Sequence, residues 1–372
     1  MRQVYIAAAK RSLVSPRNGR WRRSGVGELA APVIQGLLDG ESFRQIDVQD
    51  VVLGNALYGG GNPSRVVALA AGLDEATYAS TLDTQCCSGL DAIILGASKI
   101  ASGAADVIIA GGVESYSRSP LRQHRALEPD GPNLYYQRPP FTPWADRDPD
   151  LLDAAAEIAK ARRLTRDAQE LFACRSHEKA LHADFSAELV GAAGLRQDDF
   201  TRRLRLETCR KLSTLTQDKQ FGLTSATVAV EADAAAAVLL LSERACEKLG
   251  LSNVLRFHSA RQSGGIPEQP ILAGLAAPRA LLGSAGLRPA VAEIMESFAV
   301  QAMLWRDELK IDEDALNRGG GALARGHPIG ASGAVLVVRL FHELMREPSG
   351  ALGLAAIAAA GGLGSALLLQ KC

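Results

Sequence analysis

The stretch Asp83-Thr84-Gln85-Cys86-Cys87-Ser88-Gly89-Leu90 decides the reading of this chain. A strand-like approach runs into Cys86, and a helix is predicted from about 87 to 102. The buried strand Asp106-Val107-Ile108-Ile109-Ala110-Gly111-Gly112 follows. Near the C-terminus the plan recurs. Ser332-Gly333 opens a helix that leads to Ala358-Ala359-Ala360-Gly361-Gly362. Two copies of one supersecondary plan imply a duplicated half.

Outward from this stretch, Val4–Ala9 and Val51–Gly54 read as strands, and 27–39 and 63–72 as helices. Such alternation implies a largely parallel sheet covered by helices. Residues 119–150 hold seven prolines, an irregular excursion of the kind kept for lids or binding loops. Helices follow at about 150–163 and from Thr165, a plausible N-cap, and residues 232–242 return to buried-strand character. The domains expected are 1–116 with 232–252, an inserted loop domain at 117–231, and 253–372.

Composition narrows the function. The chain has 372 residues, 47% hydrophobic and 22% charged, with zero formal net charge. That gives no long-range attraction to nucleic acid or to an acidic membrane. Among six cysteines there is no C-x-x-C pair, so neither zinc nor a disulfide framework is expected and a reducing cytoplasm fits. The first 27 residues carry seven basic side chains and no acid, yet Val4–Ala9 already reads as mature structure. Leu352 to Leu369 is 18 residues without a charge, but its glycines divide it into strand, turn and strand rather than a membrane span.

Two side chains stand out chemically. Cys86 sits at a strand-to-helix junction, where unpaired N–H groups and the helix dipole favour thiolate and could hold an oxyanion. A buried structural cysteine is the plainer alternative. His327 lies in Gly319-Gly320-Gly321-Ala322-Leu323-Ala324-Arg325-Gly326-His327-Pro328-Ile329-Gly330-Ala331-Ser332-Gly333. It could accept the Cys86 proton, or be a solvated residue in a glycine-rich turn.

Together these segments resemble the thiolases nearly end to end. Cys86 with Ser88-Gly89, Ala110-Gly111-Gly112-Val113-Glu114-Ser115, and Gly326-His327-Pro328 through Gly333 carry the likeness. The resemblance implies two βαβαβαββ halves in five αβαβα layers, with Cys86 as nucleophile and His327 as base. It implies that an acyl group passes from a thioester, coenzyme A being the probable carrier, through Cys86 to an acceptor. It also implies a homodimer or homotetramer with no bound cofactor. Ala360, Met295 and Ala358 fall at the family's oxyanion and pocket positions. Two of these depart from the pattern. Met295 replaces the asparagine of Asn-Glu-Ala-Phe, and Ala358 replaces the second cysteine. The segment Ala226-Thr227-Val228-Ala229-Val230 and Ser213 depart at the coenzyme A loop, and Arg202, Arg203, Arg205, Arg210 and Lys211 are a basic group or a plain solvated face. An acyltransferase with altered acid/base chemistry, an ordinary acetyl-CoA acetyltransferase or 3-ketoacyl-CoA thiolase, and a silent thiolase-shaped binding or scaffold subunit all remain open.

Overall fold

The computed structural model describes residues 2–43, 46–191, 194–283 and 286–372. Its strands are β1 (Val4–Arg11), β2 (Ser15–Pro16), β3 (Asp50–Gly54), β4 (Tyr78–Leu82), β5 (Val107–Glu114), β6 (Arg122–His124), β7 (Leu134–Tyr136), β8 (Ala232–Ser242), β9 (Leu255–Gly264), β10 (Val291–Ile294), β11 (Leu352–Ala359) and β12 (Leu363–Lys371). Its helices are α1 (Val26–Leu38), α2 (Pro63–Ala70), α3 (Ser88–Ser102), α4 (Leu151–Ala161), α5 (Arg166–His182), α6 (Leu206–Cys209), α7 (Glu243–Lys248), α8 (Pro270–Gly274), α9 (Ala276–Gly283), α10 (Ala299–Leu309), α11 (Ala322–Arg325) and α12 (Ile329–Leu344).

The duplication is visible in strand order. The first half reads β4-β3-β5-β8-β1 and the second β10-β11-β12-β9, joined where β1 meets β9. A single bridge between Ala292 and Leu316 supplies the missing edge beside β10, so both halves follow one plan. The sheet is mixed, not largely parallel as the sequence suggested. Among the described strands, β3–β4, β3–β5 and β10–β11 run parallel and the other paired strands antiparallel. β11 and β12 are separated by Ala360-Gly361-Gly362 alone, with both glycines at positive φ (77° and 78°). A turn that short can only return the chain antiparallel.

Side-chain alternation along the strands sets five layers. On β8, Val238 and Leu240 face the central cluster with Leu90 and Ile93 of α3 and Val335 and Val337 of α12. Leu239 and Leu241 face the opposite way, onto Leu29, Val33 and Ile34 of α1. In the second half Ala355 and Ile357 share the central cluster, while Leu354 and Ala356 face Ile271, Val300 and Trp305. Thus α3 and α12 form the middle layer between the half-sheets. Leu352 to Leu369 folds as strand, turn and strand, and no described helix is long and apolar enough to cross a membrane.

The middle helices touch backbone to backbone. A Cβ at Gly333 would lie 2.5 Å from Leu90 N, and one at Gly89 would lie 2.7 Å from Gly330 O. Gly333→Ala is therefore expected to lower stability by about 1–3 kcal/mol, the range for overpacking a tight core. Urea unfolding checks this, with Gly264→Ala, which meets nothing within 4 Å, as the comparison.

Candidate active site

Cys86 stands in a 3-10 turn, Gln85–Cys87, immediately before α3. The turn is sharp enough to hold Gln85 at φ 56°, a left-handed conformation that costs a non-glycine residue about 1 kcal/mol or more. Local side chains fix it. Asp83 Oδ1 accepts from Gln85 N at 2.9 Å, and Ser88 Oγ donates to Gln85 O (2.6 Å) while accepting from Thr84 N (2.9 Å). Buried Asp91 accepts from Thr84 Oγ1, Gln262 Nε2 and Ser365 Oγ, each at 2.6 Å, and so ties the turn to the second half.

His327 arrives from that second half. Gly326, at φ 115°, turns the chain ahead of it, and His327 N donates to Val230 O at 2.8 Å. Its ring then spans two partners. Nε2 lies 3.2 Å from Cys86 Sγ, and Nδ1 lies 2.6 Å from Ser332 Oγ. With the thiol donating to Nε2, the Nδ1 proton goes to Ser332, which fixes tautomer and ring plane together. Cys86 and His327 are both partly exposed, and Cys87 beside them is buried with Sγ 3.7 Å from Ile357 O.

Electrostatics set a neutral resting pair. Burial pushes the Cys86 thiol up to about 12; Glu114 and Asp83 add to this, while the amides of Cys86 and Ala360 facing the sulfur oppose it. Burial lowers His327 to about 4. The thiolate favoured by the helix terminus is thus not the resting form, because desolvation outweighs the amide donors. Those donors instead form a pair able to stabilise an oxyanion.

Glu114 joins the halves beneath the sulfur. Its buried carboxyl accepts from Asn55 Nδ2 (2.8 Å), Ala56 N (3.0 Å), Leu57 N (3.2 Å) and Gly330 N (2.9 Å). Burial raises it to about 7 against these donors. Glu296 does related work upstream of His327, accepting from Ser176 Oγ (2.7 Å), Asn317 Nδ2 (2.7 Å) and Leu323 N (3.2 Å).

The remaining positions fall as follows. Met295 is buried in the central cluster against which Cys86 packs. Ala358 belongs to the outer cluster, and a Cβ at Gly274 would come within 2.5 Å of its methyl. Neither side chain moves a proton or donates a hydrogen bond. The stretch 226–230 is laid along the Met295–Phe298 segment, with Ala229 N donating to Ser297 O at 3.0 Å. The basic group is dispersed: Arg202 stacks on Phe200 at 4.0 Å and Arg210 pairs with Asp167 at 3.6 Å. Sequence reasoning gave no site role to Asp91, Ser88 or Ser332. An acid inside the apolar run Leu90-Asp91-Ala92-Ile93 was the available signal for the first.

The profile "Thiolase, N-terminal domain" matches residues 4–244, and "Thiolase, C-terminal domain" matches 251–371. The chain is 37% identical to the "Putative acetyl-CoA C-acetyltransferase YhfS" of Bacillus subtilis (strain 168), over 99% of each. It is 31% identical to the "Putative acetyl-CoA C-acetyltransferase VraB" of Staphylococcus epidermidis RP62A, covering 100% of this chain and 99% of that one. The crystal structure of Acat5 thiolase from Ascaris suum in complex with coenzyme A superposes with a TM-score of 0.90 at 29% identity, covering 100% of both chains. With both profiles matched in order along almost its whole length, the chain belongs to the thiolase family.

Proposed function

We propose that this thiolase-type acyltransferase takes its acyl group from a coenzyme A thioester onto Cys86, with His327 as the base. The 3.2 Å contact between His327 Nε2 and Cys86 Sγ carries the reading. As sulfur attacks the thioester carbonyl, its proton moves to Nε2, and charge developing on the carbonyl oxygen meets the amides of Cys86 and Ala360. The carrier thiolate then leaves with the proton from His327. This gives S-acyl-Cys86, and a second acceptor completes the exchange by the reverse sequence. The coenzyme A bound to the Ascaris suum thiolase supports the choice of carrier.

The acceptor step is where this chain differs. A carbon nucleophile needs its enolate stabilised and its α-carbon proton removed, and Met295 and Ala358 offer no group for either task. Heteroatom acceptors such as thiols need neither, so acyl exchange between thiols is the reading the site favours. Ordinary acetyl-CoA acetyltransferase activity is the second reading, favoured by the names of the relatives. The segment 117–231 serves as the cover: a Cβ at Gly361 would lie 3.1 Å from Phe141 O, and Val230 holds His327. The free edge of β4, with Tyr78 63% exposed, supports association with a second copy of the chain.

Intact-mass spectrometry after mixing with short-chain acyl-CoA is expected to show a single adduct, absent in Cys86→Ala. Its formation should slow by about 10²-fold or more in His327→Ala, the usual scale of general-base assistance. An unlabelled wild-type protein across a broad donor panel would remove the proposal.

The pH profile has a definite sign. His327 accepts a proton only when neutral, so acylation is lost as pH falls toward its value of about 4. The thiol stays protonated until about 12, so the rate should be level from about pH 5 to pH 9. Stopped-flow acylation measures this; a limb rising through pH 8–9 would mean that the thiol ionises unaided.

Acetoacetyl-CoA thiolysis is expected to run about 10²–10³-fold below thiol-to-thiol acyl exchange, the scale of one missing oxyanion donor. Equal rates would return the enzyme to the ordinary thiolase reading.

A further inference from the structure

Cys174 and Cys209 have no part in the site above, yet their sulfurs lie 3.9 Å apart across 35 residues of sequence. Cys174 is in α5, and Cys209 ends the single-turn α6. Their environments differ. Cys209 is fully buried. Cys174 is partly exposed and lines a surface cleft of about 730 Å³ with Glu178, Leu181, His182, Arg203 and Leu204. A small oxidant in that cleft reaches Cys174 and not Cys209.

Burial raises both thiols, Cys209 to about 12. Either sulfur can donate in the contact between them. The accessible sulfur is the one a peroxide meets first, and the buried one is held against it. Arg166 keeps α6 in place by donating from Nη2 to the carbonyls of Cys209 (3.1 Å), Arg210 (3.2 Å) and Leu212 (2.8 Å).

We propose that Cys174 and Cys209 are an oxidative modification site, at which a peroxide oxidises Cys174 and Cys209 converts the product to a disulfide. In the first step the Cys174 sulfur attacks a peroxide oxygen. The O–O bond breaks, Cys174 becomes a sulfenic acid, and one water leaves. In the second step the Cys209 sulfur attacks the sulfenic sulfur. The S–S bond forms, the S–O bond breaks, and hydroxide leaves with the Cys209 proton as a second water. Two electrons pass from the thiols to hydrogen peroxide. The sulfurs must close from 3.9 Å to about 2 Å for the bond to form. The bond would pin α6 to α5, the helix whose Ser176 Oγ accepts from Gly321 N at 2.9 Å and so anchors the segment leading to His327.

The test is non-reducing peptide mapping of the wild-type protein after a small molar excess of hydrogen peroxide. The expected product joins the Cys174 and Cys209 peptides, is lighter by two hydrogens and reverts with dithiothreitol. In Cys209→Ser, Cys174 should instead run on to sulfinic acid. Recovery of both residues as free thiols while Cys86 is oxidised, or Cys174 joined to any other cysteine, would overturn the proposal. The wild-type measurement stands whether or not the variant folds.

Discussion

Two helices lie against each other with no side chain between their backbones, and the contact of Cys86 with His327 depends on that approach. Gly89 of α3 and Gly333 of α12 make it possible. Cys86 lies two residues ahead of α3, and His327 two residues ahead of α12. The helices are rigid rods whose separation is set by backbone contact. The distance between sulfur and imidazole is therefore fixed by packing 241 residues apart in sequence, not by local flexibility. Gly112 adds a third close approach, since a Cβ there would sit 2.2 Å from Gly330 O. Glu114 then bonds Gly330 N and locks the rotation of α12 against the first half.

The duplicated plan divides labour between corresponding serines. Ser88 and Ser332 occupy the same place in the two copies, each just before the glycine of the helix contact. Ser88 braces the strained turn that presents Cys86. Ser332 orients His327. Equivalent positions thus support Cys86 in one half and His327 in the other. Neutrality follows from the same enclosure. Packing that brings the groups to 3.2 Å also strips water from them, which disfavours the charged form of each.

Much of this was legible in the sequence, for identifiable reasons. Strand–helix alternation, the paired Ser-Gly motifs and the glycine flanks of His327 are local patterns, and together with the family resemblance they pointed to the thiolase fold and to the roles proposed for Cys86 and His327. What escaped was set by long-range packing. The mixed direction of the sheet depends on where β8 returns after the 117–231 excursion. The thiol's protonation depends on desolvation by residues far along the chain, whereas the helix terminus that favours thiolate is visible locally. Asp91 acquires its role only when Gln262 and Ser365 arrive from β9 and β12. Its sequence neighbourhood shows an acid among apolar residues and no partner.

The substitutions at Met295 and Ala358 can be weighed against this framework. The groups that the proposed acyl-enzyme would use stand together: the strained turn, the Ser332-oriented imidazole, the two amides and the Glu114 brace. Glu296, next to Met295, still carries three hydrogen bonds and keeps the segment before His327 in position. Asp83 and Ser88 hold Gln85 in its left-handed turn, and that turn sets Cys86 Sγ 3.2 Å from His327 Nε2. The strained turn accords with the proposed role of Cys86, while Met295 and Ala358 leave the proposed acceptor step without a side chain that moves a proton.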